Sequence, residues 1–276
     1  MNDLLEVLQQ GYMQRALLAG LVVGATCPVI GVYLVLRRLS LIGDGLGHVS
    51  FAGVAAGWLA GVYPLLSAAM FAILGAVAIE RLRSWRREYG DLALAMVFYS
   101  GIALGVVLTS LSRRMNVSLF GYLFGSILTV TQLDLIVISV AGGSVLAILT
   151  LLHKELFTLA YDEDLARVSG LPTGFLNYLV VILTAVTVVA ALRVVGILLV
   201  AGLLVIPVSA SLQLARSFRA TLTYAILFGV LSVLLGLLAA YVFDLAPGGA
   251  IILTAVLTFL LATSVRGVGA RRGVST

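Results

Sequence analysis

The feature that most constrains this chain is a succession of long apolar runs broken by short turns, several of which carry arginines, such as ERLRSWRREYG at 80–90. A helix needs about 20 apolar residues to cross the hydrocarbon of a bilayer. Runs at about 14–36, 45–61, 64–80, 91–112, 133–152, 174–192, 196–214, 221–243 and 248–265 meet or approach that length. Only helices and closed barrels satisfy their backbone polar groups in lipid. Barrel strands would read as short alternating segments, which these runs do not. The expectation is an all-α integral membrane protein, a polytopic bundle of about eight to nine transmembrane helices forming a single domain over residues 1–276. Composition agrees: 62% of the chain is hydrophobic and 11% charged, against about 25% charged in a soluble domain.

Charge sets the orientation. If the 80–90 loop is cytoplasmic, nine spans leave only Arg15, Arg113, Arg114 and Arg193 outside, from a total of 17 Lys and Arg. That bias follows the positive-inside rule and places the N-terminus outside and the C-terminus inside. A tenth span over 117–130 would spoil the alternation, so NVSLFGYLFGSILT is read as re-entrant or interfacial. The net charge of +5 is explained by topology rather than by nucleic acid. The opening MNDLLEVLQQGYMQ has acids and no early Lys or Arg, unlike a cleavable signal peptide. Cys27, the single cysteine, lies in an apolar run and reads as a packing residue.

Small residues recur four apart at Gly20 and Gly24, at Gly53, Gly57 and Gly61, at Gly101 and Gly105, and at Gly121 and Gly125. Such spacing lets helix backbones approach closely in lipid.

One loop carries structure of its own. In HKELFTLAYDEDLARVSGLPTG, Asp162 is placed as an N-cap, and Glu163 and Asp164 fall in the first turn, where the helix dipole favours acids. Gly170 is placed to end the helix and Pro172 to block its continuation. A short polar helix over about 162–170 on the cytoplasmic side is either a plain connection or a docking element. Its acids, Arg167 and the apolar Leu165 and Val168 suit a partner's groove.

The chemistry concentrates in RRLSLIGDGLGHVSFAGVAAG, residues 37–57. Asp44 and His48 are four apart, so one helical face carries both. Imidazole suits zinc and carboxylate suits manganese, and ionisable groups at membrane depth are costly unless they face a cavity or a partner. Ala52 and Ala55 continue the face with small side chains. Two structural alternatives stand beside this: Asp44 as an N-cap, and His48 as a satisfied core residue. Two ligands are also few for one ion, and a symmetric homodimer would double them around one pore. Of the other polar groups, His153 reads as interfacial and Asp91 and Asp134 as helix caps. Asp244 falls in an outer turn, and the Ser209 and Ser211 hydroxyls read as bonded back to their own helix.

Three stretches together resemble the membrane permeases of ATP-binding-cassette importers for zinc, manganese or iron: LVLRRLSLIGDGLGHVSFAGVAAG, FGYLFGSIL and VVGILLVAGLLVIPVSASLQLA. The loop YDEDLARVSGLP lies where that family places the coupling helix that meets the ATPase. The resemblance extends over nearly the whole chain. It implies one permease domain in the inner or plasma membrane, assembled as a homodimer with separate ATPase subunits and an extracytoplasmic metal-binding protein. It also implies a path for a divalent metal lined by Asp44 and His48, with coupling through Asp162, Glu163, Asp164, Leu165, Arg167 and Val168. No permanent cofactor is implied, since the metal is cargo. Gly45 and Gly47 depart from what the family would lead one to expect, implying a looser helix start.

The residues support a division of labour independently. A phosphate-binding loop needs glycines followed by Lys and Ser or Thr, and the only lysine, Lys154, has no such setting. Energy from ATP must therefore enter through another polypeptide. An autonomous metal channel or secondary transporter is the competing class, but the broken helices at paired positions that mark many such carriers are not evident. An intramembrane metalloprotease would need an HExxH-like pattern, which two distant histidines do not form. A metal-chelate or vitamin permease is a near neighbour that would not need Asp44 and His48 as direct ligands.

Overall fold

The structure, a computed structural model, describes residues 10–85, 90–111, 116–126 and 129–272. The N-terminal stretch before residue 10, and Arg86, Arg87, Arg113 and Arg114 of the topology argument, lie outside the described residues. The regular structure of the described residues is all helix: α1 Gly11–Leu36, α2 Ile42–Ala60, α3 Pro64–Trp85, α4 Gly90–Leu111, α5 Asn116–Phe124, α6 Gln132–Leu151, α7 His153–Tyr161, α8 Glu163–Val168, α9 Thr173–Ala191, α10 Val200–Leu214, α11 Phe218–Val242 and α12 Pro247–Arg272.

Seven of these, α1, α3, α4, α6, α9, α11 and α12, are long and apolar enough to cross a membrane. Helix α2 has the length, at 19 residues, but Asp44, His48 and its glycines dilute its hydropathy. Helix α10 has 15 residues, which at about 1.5 Å per residue rise less than a hydrocarbon core of about 30 Å.

The shortness of α10 corrects the expected continuous span over 196–214. Residues 192–199 form turns, and Gly196 takes a left-handed φ of 88°. A side chain there would strike the Leu123 carbonyl and Gly125. These turns meet the end of α5: Ile197 N–H donates to Tyr122 O at 2.9 Å, Leu198 N–H to Leu123 O at 3.3 Å and Ser126 N–H to Arg193 O at 3.2 Å. Irregular backbone at membrane depth survives only where protein satisfies it, and here two irregular segments satisfy each other. Helix α5, at nine residues, is too short to cross, in keeping with a re-entrant piece.

Packing puts α1 and α9 in the centre, with α4, α6 and α12 at the rim. Helix α2 lies against α3 and α4, while α11 lies against α1 and α12. The small-residue spacing is used as expected at most positions. Gly101 and Gly105 of α4 sit so close to Val49 and Phe51 of α2 that added Cβ atoms would collide, and Gly24 of α1 meets the Gly229 carbonyl of α11. Gly61 departs from the pattern. It is the left-handed residue ending α2, with φ 67° and open space around it.

Candidate functional site

Helix α2 begins at Ile42 with Leu41 in the N-cap position, so Asp44 lies inside the first turn rather than capping it. A carboxylate there still gains from the dipole. Gly45 and Gly47 do not loosen the start. The helix is continuous, and these glycines let it pass close to Leu94 of α4 and to the Ile197 carbonyl.

Asp44 Oδ1 and His48 Nε2 are 3.8 Å apart. The His48 ring packs edge-on against Phe98 of α4, with centroids 4.6 Å apart. The side chains retain 35% exposure at Asp44 and 15% at His48, which in lipid is a costly place for a carboxylate. Above His48 the face is closed: Ala52 and Ala55 are fully buried, and Gly105 sits against Ala52. The small side chains of Ala52 and Ala55 therefore serve close packing in this conformation and leave no open space along the face. Among the described residues no group of three or more His, Cys, Asp or Glu side chains could hold an ion.

Toward the chain's charged loops lies a cavity of about 540 Å³. Its wall runs from the α1–α2 turn, Arg38 to Ile42, across the end of α3 and the start of α4 to α8 and the start of α9. Glu80 and Arg83 of α3 pair at 2.9 Å on its lining.

Helix α8 is built as its sequence dictates. Asp162 Oδ1 accepts from the backbone N–H groups of Asp164 and Leu165 at 2.9 and 3.0 Å. The helix stops when Gly170 N–H bonds Arg167 O and Leu171 N–H bonds Ala166 O, a Schellman arrangement. The coupling residues divide between two faces. Asp164, Leu165, Arg167 and Val168 are exposed. Glu163 turns inward, meeting Arg37 Nη2 at 3.5 Å and Asn177 Nδ2 of α9 at 3.1 Å. Arg37 is 6% exposed. Burial, with Arg83 nearby, holds its pKa below the ordinary value, opposed by Glu163 and Glu80.

A second polar cluster went unread in the sequence. Asp134 closes a capping box with Thr131, as its helix-cap reading anticipated. It is also fully buried, accepts a hydrogen bond from Tyr63, and faces Arg193 Nε at 3.4 Å. Arg193 lies over the Tyr122 ring, 4.4 Å from its centroid. Burial and the bond to Asp134 push the Tyr63 pKa up. The signal was Arg193 itself, an arginine inside the apolar AALRVVG on the side the positive-inside rule leaves poor in arginine. Elsewhere Ser209 and Ser211 bond back to their own helix at 2.9 and 2.7 Å, as expected. His153 is half-buried and meets the Tyr33 hydroxyl at 3.3 Å.

A polytopic bundle with seven helices long and apolar enough to cross a bilayer defines an integral membrane protein of the helical class. Residues 9–266 match the family described as "ABC 3 transport family", and the chain belongs to it. A probable metal transport system membrane protein of Treponema pallidum is 35% identical over 96% of this chain and 100% of its own length. The manganese transport system membrane protein MntC of Listeria innocua is 32% identical over 93% and 91%. The solved structure of PsaBC from Streptococcus pneumoniae in complex with Fab superposes with a TM-score of 0.85 at 29% identity, covering 95% of this chain and 94% of that one. The chain is thus a multi-pass permease subunit and not an enzyme, with ATP hydrolysis belonging to a separate subunit.

Proposed function

We propose that this chain is the permease of an ATP-driven importer of divalent transition-metal ions, manganese, zinc or iron, in the cytoplasmic membrane. Two copies form a pore about a two-fold axis, and the ion passes Asp44 and His48 of each. An extracytoplasmic binding protein delivers the ion. The ATPase docks on the exposed face of α8, through Asp164, Leu165, Arg167 and Val168. The N-terminus lies outside and the C-terminus inside.

The observation that carries this reading is the Asp44–His48 pair, 3.8 Å apart on a face its own chain leaves partly open. A second copy would cover the exposed carboxylate and raise the donors from two to four. Four suffices to replace water around a passing ion without the permanence of a closed structural site. The relatives named for metal transport support the same cargo class.

The test is metal accumulation in cells lacking their own importer, with zinc, manganese and iron assayed together. Uptake of one metal that requires both the ATPase and His48 supports the proposal. Uptake that persists without the ATPase would instead define a channel or secondary carrier.

A further inference from the structure

Glu163 belongs by position to the helix expected to meet the ATPase, yet its carboxylate turns toward the bundle. One oxygen accepts from Asn177 at 3.1 Å, near the start of α9, and the other meets Arg37 at 3.5 Å, one residue past the end of α1. Arg167 approaches the same carboxylate from α8 itself, at 3.7 Å. The Arg37 guanidinium is buried, and its Nη1 has no hydrogen-bond partner among the described residues. A buried cation of this kind depends strongly on the carboxylate in contact with it, here Glu163, with Glu80 adding only a longer-range attraction, because losing either member of such a pair leaves a desolvated charge.

Arg37 opens the five-residue turn into α2. Its neighbour Arg38 has φ 58°, a left-handed conformation that is uncommon outside glycine. Leu39 N–H bonds Leu34 O at 2.8 Å across this turn, and Ile42 N–H bonds Leu39 O at 3.0 Å. The turn is therefore a short, tightly bonded link. Asp44 follows two residues into the helix it starts. Beneath the link lies the 540 Å³ cavity, bounded by Arg38 to Ile42 on one side and by Glu163 and Arg167 on another. The cavity separates the turn and α8 from the end of α3 and the start of α4.

We propose that Glu163 is a positioning residue, which clamps α8 to Arg37 and so carries movement of α8 through the Arg38 turn to the helix bearing Asp44 and His48. This rests on the proposed function, since it needs an ATPase that moves α8. Within that function it separates two roles on one short helix. The exposed residues hold the partner, and Glu163 transmits.

The test uses the full complex of permease, ATPase and binding protein in lipid vesicles, with manganese as probe. Three quantities are read: the ATPase that co-purifies, the ATP hydrolysed, and the manganese moved per ATP. Glu163→Gln should keep the co-purified ATPase and lower manganese moved per ATP by at least about fivefold, the low end of a coupling energy between sites. Arg37→Gln breaks the same pair from the other helix, away from the docking face, and should give the same loss. Joining Arg37→Glu to Glu163→Arg should recover part of the lost ratio, since the attraction of the pair is independent of which side carries which sign, while Arg167 beside position 163 and Glu80 near position 37 keep the recovery incomplete. A merely structural role would lower all three quantities together and gain nothing from the exchange. An unchanged ratio in both single variants overturns the clamp, as does loss of co-purified ATPase from Glu163→Gln with a normal ratio in Arg37→Gln. Manganese uptake by the wild-type chain without ATPase would sink the proposed function instead.

Discussion

A carboxylate and an imidazole one helical turn apart offer a cation two donors, and water or a second chain has to supply the rest. This makes Asp44 and His48 sensitive to chemistry rather than to size. Asp44→Asn keeps the shape and removes the charge, and the residue is half-exposed, so folding should hardly notice. Manganese uptake should fall by at least about tenfold, the scale of disturbing a metal site even one shell out. Normal uptake by a fully assembled Asp44→Asn complex would refute the path through this helix. Asp134 presents the opposite case. It is fully buried, bonded to Thr131 and Tyr63, and set against Arg193. Asp134→Asn leaves the Arg193 guanidinium buried without its counter-charge, which should cost about 3–5 kcal/mol. Thermal unfolding in detergent should show a clear drop for Asp134→Asn and little or none for Asp44→Asn.

At the level of elements, the capped helix α8 was legible residue by residue, because Asp162, Gly170 and Pro172 act locally and need no tertiary partner. The direction of Glu163 was not, because it depends on where α1 ends and α9 begins. The same distinction explains the 196–214 run. Its apolar residues match a span, but Gly196 pairs the chain with the end of α5, a contact over seventy residues away in sequence. Periodicity has no access to such a pairing. Gly196→Ala should be strongly destabilising, since it adds the cost of a left-handed non-glycine residue, about 1–2 kcal/mol, to a clash with the Leu123 carbonyl. A Gly143→Ala control, with nothing within reach of the new Cβ, should leave the melting temperature unchanged or slightly raised. On α8, replacing Leu165 and Val168 together by serine should weaken capture of the ATPase at least tenfold. Fully burying a Leu or Val side chain is worth about 1.5–3 kcal/mol, and both side chains are exposed and ready to be buried.

For the whole molecule, the apolar runs made the class legible, because a bilayer tolerates so few backbone arrangements. The assembly is less legible from one chain, since the rim of the bundle is apolar whether lipid or a second copy lies against it. Orientation is open to direct measurement, and Cys27 makes it simple. It is the chain's one cysteine and is fully buried, so new cysteines can be read without removing it. Trp85 ends α3 at 85% exposure and Leu111 ends α4 at 67%, and one membrane crossing separates them. A membrane-impermeant thiol reagent applied to intact cells should label Leu111→Cys and spare Trp85→Cys. Inside-out vesicles should reverse the pattern. Reversed labelling would put the arginine-rich turns outside, against the positive-inside rule. It would also place α8 on the side without ATP and remove the ATPase from its docking face. Labelling of both sites from one side would show that α4 does not cross.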